Sequence, residues 1–241
     1  MKLITSKDNP IVKNLVKLTD SKGRAELGLC IIVGTKLVAE HMDKVSQIFI
    51  RQDDSKKPQE KINFFQKNPK DLFALPPSIF NKIAIFDTDI IATVPIPKSG
   101  NHSSPFVILD RIQDPGNLGT ILRTAAAFGY QTIYTIDCAD PFSQKSIRSA
   151  MGTQFKLNIH KFSPEYIKDA KLYIADLDGH SIQDIGFINL QPFGIILGNE
   201  GRGVSEELKK LPHTVVTIPM QNVESLNVAV AAGIILHALR V

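Results

Sequence analysis

The sequence predicts an α/β protein whose second half forms a mainly parallel sheet covered on both faces. From residue 106 onward, short apolar runs alternate regularly with helical patterns, and the runs are apolar throughout, without polar residues at every second position. In three segments an apolar run also ends in Gly, Asn, Glu or Ser, which is typical of a ligand crevice at the carboxyl edge of such a sheet. These segments are NLGTILRTAAAFG (Asn117–Gly129), IILGNEGRGVS (Ile195–Ser205) and IPMQNVESLNVAVAAG (Ile218–Gly233).

The composition is that of an ordinary globular protein and excludes several classes. The 241 residues are 43% hydrophobic and 22% charged, which suffices for a sizeable core. No apolar stretch approaches the roughly 20 residues that span a bilayer, and MKLITSKDNP is not a signal peptide. Cys30 and Cys138 lie far apart without metal-ligand spacing, which predicts buried free thiols, no metal site and a reducing, cytoplasmic location.

Positive charge is concentrated at the start of the chain. Residues 1–100 carry 16 Lys and Arg against 11 Asp and Glu, whereas residues 101–241 carry 12 against 13. A positive patch of this kind fits a polyanion partner, but a solvated helix face fits it equally well, and charge alone does not decide between them. The early basic residues are Lys2, Lys7, Lys13, Lys17, Lys22 and Arg24.

The first part of the chain predicts a small α/β domain, residues 1–97. Asn9-Pro10 opens an amphipathic helix whose apolar positions are Ile11, Leu15 and Leu18. The stretch TVPIPKSGNHSSP, residues 93–105, is rich in Pro, Gly and Ser and predicts a linker, which we place at 98–105. The elements expected between them are a strand at Leu29–Gly34, a helix at TKLVAEHM, strands at Gln47–Arg51 and Ile83–Asp87, and an exposed polar segment at Asp53–Asn63.

The domain after the linker, residues 106–241, alternates strands with helices. Its last helix is apolar on every face, so we expect it to be buried on every face. The predicted strands are FVILD (Phe106–Asp110), QTIYTID, FKLNIH, KLYIADL, FGIILG and TVVTIP. The predicted helices are Asn117–Phe128, SQKSIRSAMG, EYIKDA, VSEELKKL and SLNVAVAAGIILHAL.

Arg123 is the unusual residue of the first segment. It falls between Leu122 and Ala125 in an apolar helix, where burying an unpaired guanidinium is costly. We therefore expect Arg123 to face an anionic site, with a plain surface position as the alternative. Asn117, at the start of this helix, is either a site residue or simply the helix N-cap.

The second segment places GNEGRG between a buried strand and a helix. Glycine-rich loops at this position let the backbone approach a ligand. However, the loop has neither the Lys-Ser/Thr of a P-loop nor the GxGxxG spacing, and Glu200 would repel a phosphate. The loop therefore favours a nucleoside-like ligand without phosphates.

The third segment carries several polar side chains immediately before its helix. Glu224, Ser225 and Asn227 are more polarity than one N-cap requires, although Ser225 alone fits that role. The helix N-terminus itself favours an anion or a lone pair nearby. We therefore expect this segment to contribute to the same site.

Taken together, the three segments resemble the three signature motifs of the SpoU (TrmH) family of RNA ribose methyltransferases. DPFSQKSIRSAMG is similar to the family's segment between the first two motifs, and ITSKDNPIVKNLVKLTDSKGR with LCIIVGTKLVAE resembles its substrate-binding domain. The chain departs from the pattern in two places. Residues 221–224 are shorter than usual and lack a glycine, and the early strand reads IVG where a glutamate commonly precedes the glycine.

The resemblance implies that the C-terminal domain forms a deep trefoil knot and binds S-adenosylmethionine (AdoMet). By residue-wise carry-over, Gly198, Ile218 and Leu226 are expected to contact this cofactor. Leu197 and Met220 are expected to complete an apolar slot for its adenine. The absence of a phosphate-binding motif agrees with a cofactor that has no phosphate.

The implied reaction is methyl transfer to a ribose 2′-hydroxyl, and the family assigns proton removal to the arginine at the position of Arg123. A guanidinium is effectively always protonated, so we expect Arg123 mainly to stabilise the developing alkoxide and a neighbouring phosphate. The residues expected to orient Arg123 and the ribose are Asn117, Glu200, Ser225 and Asn227.

The resemblance also implies RNA as substrate, with ribosomal RNA favoured over transfer RNA by the accessory domain, and assembly as a homodimer. Lys7 and Lys13 are candidate phosphate contacts, although they are equally compatible with simple surface lysines. Arg148, on the helix after Lys145, is a further RNA-binding candidate. No membrane partner is expected.

Two other functions are compatible with parts of the sequence. A catalytically inactive RNA-binding protein of the same fold would explain the altered third motif, but five retained polar motif residues argue against it. A nucleotide-dependent dehydrogenase requires GxGxxG after the first strand of a domain, and VILDRIQDPGNLG does not supply it. AdoMet binding separates the favoured function from the inactive alternative.

Overall fold

The computed structural model describes residues 1–52, 71–185 and 192–240. The chain divides into two compact units, one formed by Met1–Pro97 with Phe142–Gly152 and the other by Lys98–Pro141 with Thr153–Val241. The polar segment predicted at Asp53–Asn63 lies outside the described residues.

The first unit contains a mixed five-stranded sheet in the order β1-β4-β3-β5-β2. Strands β1 and β3 run parallel to β4, whereas β5 runs antiparallel to β2 and β3. The elements are β1 (Lys2–Leu3), α1 (Pro10–Lys17), α2 (Ser21–Leu27), β2 (Leu29–Val33), α3 (Thr35–Glu40), β3 (Gln47–Arg51), β4 (Asp71–Leu75), α4 (Pro77–Ile83) and β5 (Ile90–Pro95).

The helix predicted to open at Asn9-Pro10 is confirmed as α1. The Asn9 side chain accepts a hydrogen bond of 2.9 Å from the backbone N–H of Ile11, and Pro10 occupies the first turn, where its missing N–H is tolerated. Leu15 and Leu18 are buried in the core beside the stacked rings of Phe49 and Phe73, as the apolar spacing predicts.

The strand predicted at Ile83–Asp87 is wrong. Ile83 is the last residue of α4, which opens at Pro77 and buries Ile79 and Phe80 on its inner face. The strand is β5, which reaches into the proline-rich stretch as far as Pro95. A proline is tolerated there because it stands at the end of the strand, opposite Leu29.

The second unit contains a six-stranded sheet in the order β11-β9-β10-β6-β7-β8. Each pairing that the structure describes in this sheet is parallel, which confirms the mainly parallel sheet predicted from the continuous apolar runs. The strands are β6 (Phe106–Asp110), β7 (Thr132–Ile136), β8 (Asn158–Lys161), β9 (Lys171–Ser181), β10 (Phe193–Leu197) and β11 (His213–Thr217).

In the part of the chain that the structure describes, four α-helices and two 3-10 helices follow the first strand of this sheet. The short helix predicted at EYIKDA is one of the 3-10 helices, Pro164–Ile167. Within the described ranges, no helix combines the length and the apolar character needed to span a membrane. The α-helices are α5 (Pro115–Ala127), α6 (Gln144–Ala150), α7 (Glu206–Lys209) and α8 (Val228–Ala238), and the other 3-10 helix is Thr153–Lys156.

Helix α6 belongs to the first unit, although the sequence places it among the elements of the second. Gln144 is buried and donates a hydrogen bond of 2.7 Å to the carbonyl of Ile83. Its amide oxygen accepts a bond of 3.2 Å from the N–H of Ile85. The helix also packs against β2.

Strand β9 contains a large bulge next to β11. Val215 pairs with Ile174, but the following Val216 pairs with His180, so residues 175–179 of β9 fall between two consecutive partners on β11. A Cβ on Gly179 would lie only 2.7 Å from the carbonyl oxygen of Val215, so this close approach requires glycine.

The expectation that the last helix is buried on every face is wrong. One side of α8 is buried, including Ala232, Ile235 and Leu236, and packs against α5 and β10. On the other side Val230 is 52% exposed and Ile234 is 39% exposed. The apolar pattern shows that these side chains are hydrophobic, but among the residues that the structure describes no element covers this second side.

Candidate active site

Three of the five predicted catalytic side chains form a chain of hydrogen bonds across the loops that follow β6, β10 and β11. The amide nitrogen of Asn117 donates to the Glu200 carboxylate over 3.0 Å. The amide nitrogen of Asn227 donates to the amide oxygen of Asn117 over 3.1 Å. Because the carboxyl ends of parallel strands meet at one edge of a sheet, residues far apart in sequence come together here.

Neither Asn117 nor Ser225 is a helix N-cap, which leaves Asn117 available for this network. Asp114 caps α5 and accepts a bond of 2.8 Å from the N–H of Asn117, because Pro115 starts the helix before Asn117 is reached. Asn227 caps α8 and accepts a bond of 2.9 Å from the N–H of Ala229. Asn227 therefore serves both the helix and the network.

A cavity of about 460 Å³ opens beside this network and is lined by residues of the second and third segments. All five residues predicted to bind the cofactor line it, namely Leu197, Gly198, Ile218, Met220 and Leu226. Two of the predicted catalytic residues, Glu200 and Ser225, line it as well. The shortened third-motif loop thus still reaches the cavity.

Gly198 must be glycine for the cavity to have this shape. A Cβ at this position would lie 2.3 Å from both the carbonyl carbon of Gly203 and the nitrogen of Val204. The backbone of the GNEGRG loop folds back on itself at this point, and Asn199 and Gly203 exchange two backbone hydrogen bonds of 3.0 Å each. The loop is therefore a tight hairpin next to the cavity.

Part of the cavity wall comes from the β9 bulge and from α7, neither of which was predicted to contribute to the site. Ala175, Asp176 and Leu177 line the cavity, as does Lys209. The Lys209 ammonium lies 3.4 Å from the Asp176 carboxylate, and both side chains are half-buried. The signal that marks the other segments, an apolar run followed by polar residues and glycine, is also present in YIADLDG.

Arg123 occupies an exposed position on α5 and is not among the residues that line the cavity. Six positions separate it from Asn117, which at roughly 100° per residue places the two side chains on different faces of the helix. Arg123 shares its exposed face with Thr120 and Ala127, and within the described residues its guanidinium has no hydrogen-bond or ion-pair partner. Within one chain Arg123 is therefore a surface residue, which is the alternative given above to a position facing an anionic site.

A buried acid that the sequence pattern does not mark as a site residue lies at the end of β6. Asp110 is fully buried, and its carboxylate accepts hydrogen bonds from the Ser205 N–H at 2.6 Å and from the Arg111 guanidinium at 3.0 and 3.2 Å. The hydrogen bond to Asp110 raises the pKa of Arg111 above its ordinary value. Arg111 has φ of 58°, a left-handed conformation that costs a non-glycine residue roughly 1–2 kcal/mol.

Asn199 links this buried acid to the GNEGRG loop. Its amide nitrogen donates to the carbonyl of Arg111 over 2.8 Å, and its amide oxygen accepts from the N–H groups of Gly201 at 3.0 Å and Arg202 at 3.1 Å. The same amide nitrogen lies 3.4 Å from the Glu200 carboxylate. The loop is therefore held from within and from β6.

The three predicted RNA-binding residues all belong to the first unit. The Arg148 guanidinium stacks over the ring of Phe86 at 4.1 Å, which gives this side chain a contact of its own. The Lys13 ammonium lies 3.2 Å from the Asp8 carboxylate, an exposed ion pair of little energetic weight. Lys7 is exposed.

A cluster of rings lies on the second unit, next to the segment predicted as the linker. His102, from that segment, hydrogen-bonds to the Tyr134 hydroxyl over 2.8 Å and stacks on His160 and Tyr166. Burial, and then the nearby His102, lower the pKa of His160. The Nε2 atom of His160 has no hydrogen-bond partner among the described residues.

The two cysteines are free thiols, as predicted, with Cys30 buried and Cys138 partly buried. Burial raises the pKa of Cys138 to about 11. No group of three or more His, Cys, Asp or Glu side chains able to hold a metal ion occurs within residues 1–52, 71–185 and 192–240.

Comparison with known proteins adds a family to this geometry. Residues 104–237 match the model of the SpoU rRNA methylase family. An uncharacterized tRNA/rRNA methyltransferase of Synechocystis is 32% identical, over 98% of this chain and 93% of its own length. The 23S rRNA (guanosine(2553)-2′-O)-methyltransferase RlmP of Bacillus subtilis is 32% identical over the full length of both proteins.

Solved structures show the same architecture. The AdoMet-bound rRNA methyltransferase of Sinorhizobium meliloti superposes with a TM-score of 0.80 and 28% identity, covering 98% of this chain and 96% of its own. A putative RNA methyltransferase of the TrmH family from Porphyromonas gingivalis gives a TM-score of 0.79 and 28% identity, covering 95% and 96%. The likeness extends over both units.

Proposed function

Because this chain belongs to the SpoU rRNA methylase family, we propose that it transfers a methyl group from AdoMet to a ribose 2′-hydroxyl in structured RNA. One observation carries this proposal. The hydrogen-bonded side chains of Asn117, Glu200 and Asn227 adjoin a cavity that all five expected cofactor contacts line. Polar groups that could orient a ribose thus lie beside a site for a nucleoside-like cofactor.

The residues of the cavity fit AdoMet. Leu197, Ile218 and Leu226 supply apolar walls for an adenine, and the close-packed Gly198 exposes backbone groups. The GNEGRG loop lacks a phosphate-binding pattern, and the cofactor has no phosphate. When bound, AdoMet supplies an electrophilic methyl group on a sulfonium centre. The AdoMet-bound relative from Sinorhizobium meliloti supports the assignment.

The chain's own residues then prepare the hydroxyl. The Glu200 carboxylate and the Asn117 amide, fixed by their mutual hydrogen bond, orient the ribose. Arg123 lies outside the cavity and on another face of α5 than Asn117, so the guanidinium that serves this site is proposed to come from a second copy of the chain. It stays protonated and therefore donates hydrogen bonds to the 2′-oxygen as negative charge develops on it. The hydroxyl proton leaves late, to water. The exposed guanidinium of Arg123 has no partner among the described residues that would have to be displaced first.

Ribosomal RNA is the favoured substrate, which places the protein in the cytoplasm. The Bacillus subtilis relative named for 23S rRNA matches this chain from end to end, including the first unit. We assign RNA binding to that unit, with Lys7, Lys13 and Arg148 as its candidate contacts. The stacking of Arg148 on Phe86 leaves its charge in place while fixing its position.

A second copy of this chain is proposed to cover the exposed side of α8. Val230 and Ile234 are the exposed apolar residues on that side, and α8 packs against α5, the helix that carries Arg123. Apolar side chains around an arginine are typical of protein interfaces. Replacing Ile234 with Glu should convert a dimer to a monomer in analytical ultracentrifugation, whereas a wild-type protein that sediments as a monomer contradicts this assembly.

The trefoil knot belongs to the same proposal. The likeness of fold to the Sinorhizobium meliloti structure supports it. An experimental structure in which the segment carrying α8 does not pass through a loop of the second unit would contradict it.

The function is tested by methyl transfer to RNA from cells that lack this gene. Purified protein, tritium-labelled AdoMet and total RNA should label one ribose in ribosomal RNA, located by mapping 2′-O-methylation. Calorimetry with AdoMet alone separates the inactive alternative, which predicts RNA binding without heat from the cofactor. Label on a base, or on transfer RNA only, would require a different substrate assignment.

A further inference from the structure

The structure assigns a positioning role to Asp110 and Arg111, two residues that do not line the cavity. We infer that they form a dock that holds residues 198–205, here called the Glu200 loop, in the geometry that methyl transfer requires. This inference rests on the proposed function, because it takes Glu200 to orient the ribose.

Asp110 and Arg111 form hydrogen bonds with both ends of the Glu200 loop. At the far end, the N–H of Ser205 donates to the buried Asp110 carboxylate over 2.6 Å. At the near end, the side chain of Asn199 donates to the carbonyl of Arg111 over 2.8 Å. Asp110 at the end of β6 and Arg111 in the following turn therefore fix a loop that lies far along the chain. The two contacts join residues that are 95 and 88 positions apart.

Arg111 is needed because Asp110 is buried. A fully buried carboxylate is costly unless it is paired and hydrogen-bonded, and the Arg111 guanidinium supplies two hydrogen bonds to it. The Nη2 atom of Arg111 also lies 3.5 Å from the carbonyl of Gly203, which extends the contact to the middle of the loop.

The left-handed backbone of Arg111 aims its carbonyl at Asn199. The N–H of Arg111 donates to Ile136 over 2.8 Å while its carbonyl accepts from Asn199, so both backbone groups fix this conformation. A glycine adopts the same φ of 58° without strain but has no guanidinium. Replacing Arg111 with Gly therefore removes the side chain and leaves the turn relaxed.

The route from the dock to the chemistry is short. Asn199 holds the N–H groups of Gly201 and Arg202, and Glu200 stands between them with its carboxylate bonded to Asn117. A loop that moves away from β6 carries Glu200 with it. Misplacement of such a group by about 1 Å can lower the rate roughly 100-fold.

The experiment compares Arg111→Gly with the wild type in three measurements. Amide hydrogen exchange reports the mobility of Gly201 and Arg202, calorimetry reports the affinity for AdoMet, and single-turnover kinetics report methyl transfer in the wild-type and Glu200→Gln backgrounds. Arg240→Gly, which removes an arginine beyond α8, is the matched control. Asp110→Asn is a second test of the dock should Arg111→Gly fail to fold.

Arg111→Gly should lower the melting temperature, because the buried Asp110 carboxylate loses its guanidinium partner. It should also raise exchange at Gly201 and Arg202 at least about tenfold, and lower the rate roughly 10- to 100-fold. In the Glu200→Gln background the further loss should be less than about threefold, because the two residues act as a unit. Unchanged exchange in the loop, or a full loss repeated in the Glu200→Gln background, overturns the inference. Absence of methyl transfer by the wild type contradicts the proposed function instead, and the exchange data still decide the dock.

Discussion

The two units of this chain use their polar side chains in different ways. On α1 of the first unit, Lys13 pairs with Asp8 and Lys17 pairs with Glu26. Both pairs are exposed and join residues close in sequence, so they are screened by water and salt. Such pairs shape a charged surface and contribute little to a defined geometry.

The second unit instead joins polar groups across long stretches of chain. Asn117 bonds to Glu200, 83 positions away, and Asn227 bonds to Asn117, 110 positions away. Asp110 and Ser205 are 95 positions apart and form a partly buried hydrogen bond, in which the Asp110 side chain is itself buried. Each of these contacts depends on the whole sheet being folded.

The difference follows from strand direction. In the parallel sheet of the second unit, the loops after β6, β10 and β11 leave from the same edge. In the mixed sheet of the first unit, β5 runs against β2 and β3, so strand ends are divided between two edges. A polar constellation therefore assembles in the second unit, and a recognition surface suits the first.

The strongest loss of activity is expected for Arg123, an exposed cation of the second unit. Arg123→Lys keeps the charge but loses the planar fork, so we expect methyl transfer to fall about 100-fold or more while AdoMet affinity is unchanged. Single-turnover kinetics and calorimetry measure the two quantities. A variant with near-wild-type rate across the pH range would show that the fork is unnecessary. Arg240→Lys serves as the control.

Two asparagine N-caps, one in each unit, allow a direct test of this difference between the units. Asn9→Ala and Asn227→Ala should each lower the free energy of unfolding by about 1 kcal/mol, because each removes a cap bond of 2.9 Å. Only Asn227→Ala also loses the bond to Asn117, so it alone should lower the methyl-transfer rate, roughly tenfold. Thermal melting and kinetics on both variants provide the check. Equal rates for the two variants would contradict a special role for the second unit.

A smaller effect is expected from the surface charges of the first unit. The double variant Lys7→Ala/Lys13→Ala should weaken RNA binding to the same extent for different sequences and reduce the slope of log K against log salt by about 1–2. AdoMet affinity should stay constant. Lys36→Ala, which removes an exposed lysine of α3, is the matched control. An unchanged slope would remove Lys7 and Lys13 from the RNA contacts.

The smallest effect is a pH dependence of the second unit. The pKa of His160 is lowered in the folded protein, so its neutral form contributes stability above the ordinary pKa of 6.5, and this contribution is lost as pH falls through the lowered value. His102, Tyr134 and Tyr166 face His160 and offer it no negative charge near pH 6. The melting temperature should thus drop between pH 7.5 and pH 5, and drop less in His160→Gln. His180→Gln, at an exposed position, should leave the drop unchanged.

Much of the fold could be predicted because the apolar runs are long and continuous. Most strands of the second unit and the helix at Asn9-Pro10 appear where the pattern places them. The strand predicted at FKLNIH begins only at Asn158, because Phe155 and Lys156 belong to a 3-10 helix. The prediction failed at Ile83, where the apolar pattern fits a helix and a strand equally well. Ile83 ends α4 through its packing with Ile79 and Phe80, which no local signal distinguishes from the start of a strand.

The site residues that match the family's motifs could be predicted from the sequence. The residues whose role depends on the folded geometry, such as the N-caps and Asp110, could not. All five expected cofactor contacts line one cavity, but whether they bind the cofactor stays a prediction. The N-caps could not be assigned from sequence, since Asp114, Asn117, Ser225 and Asn227 all have suitable side chains. Asp110 was taken only as the end of a strand, because its burial depends on Ser205, distant in the chain.

The bulge of β9 gives this architecture an adjustable part. Because Val215 and Val216 pair with Ile174 and His180 on either side, residues 175–178 can be lengthened, shortened or exchanged while Gly179 keeps its close approach to Val215 and the rest of the sheet keeps its alignment. These residues include Ala175, Asp176 and Leu177, which stand at the wall of the cavity. Sequence changes in this bulge would therefore let related proteins differ in the ligands that their cavities bind, while the core of the sheet stays the same.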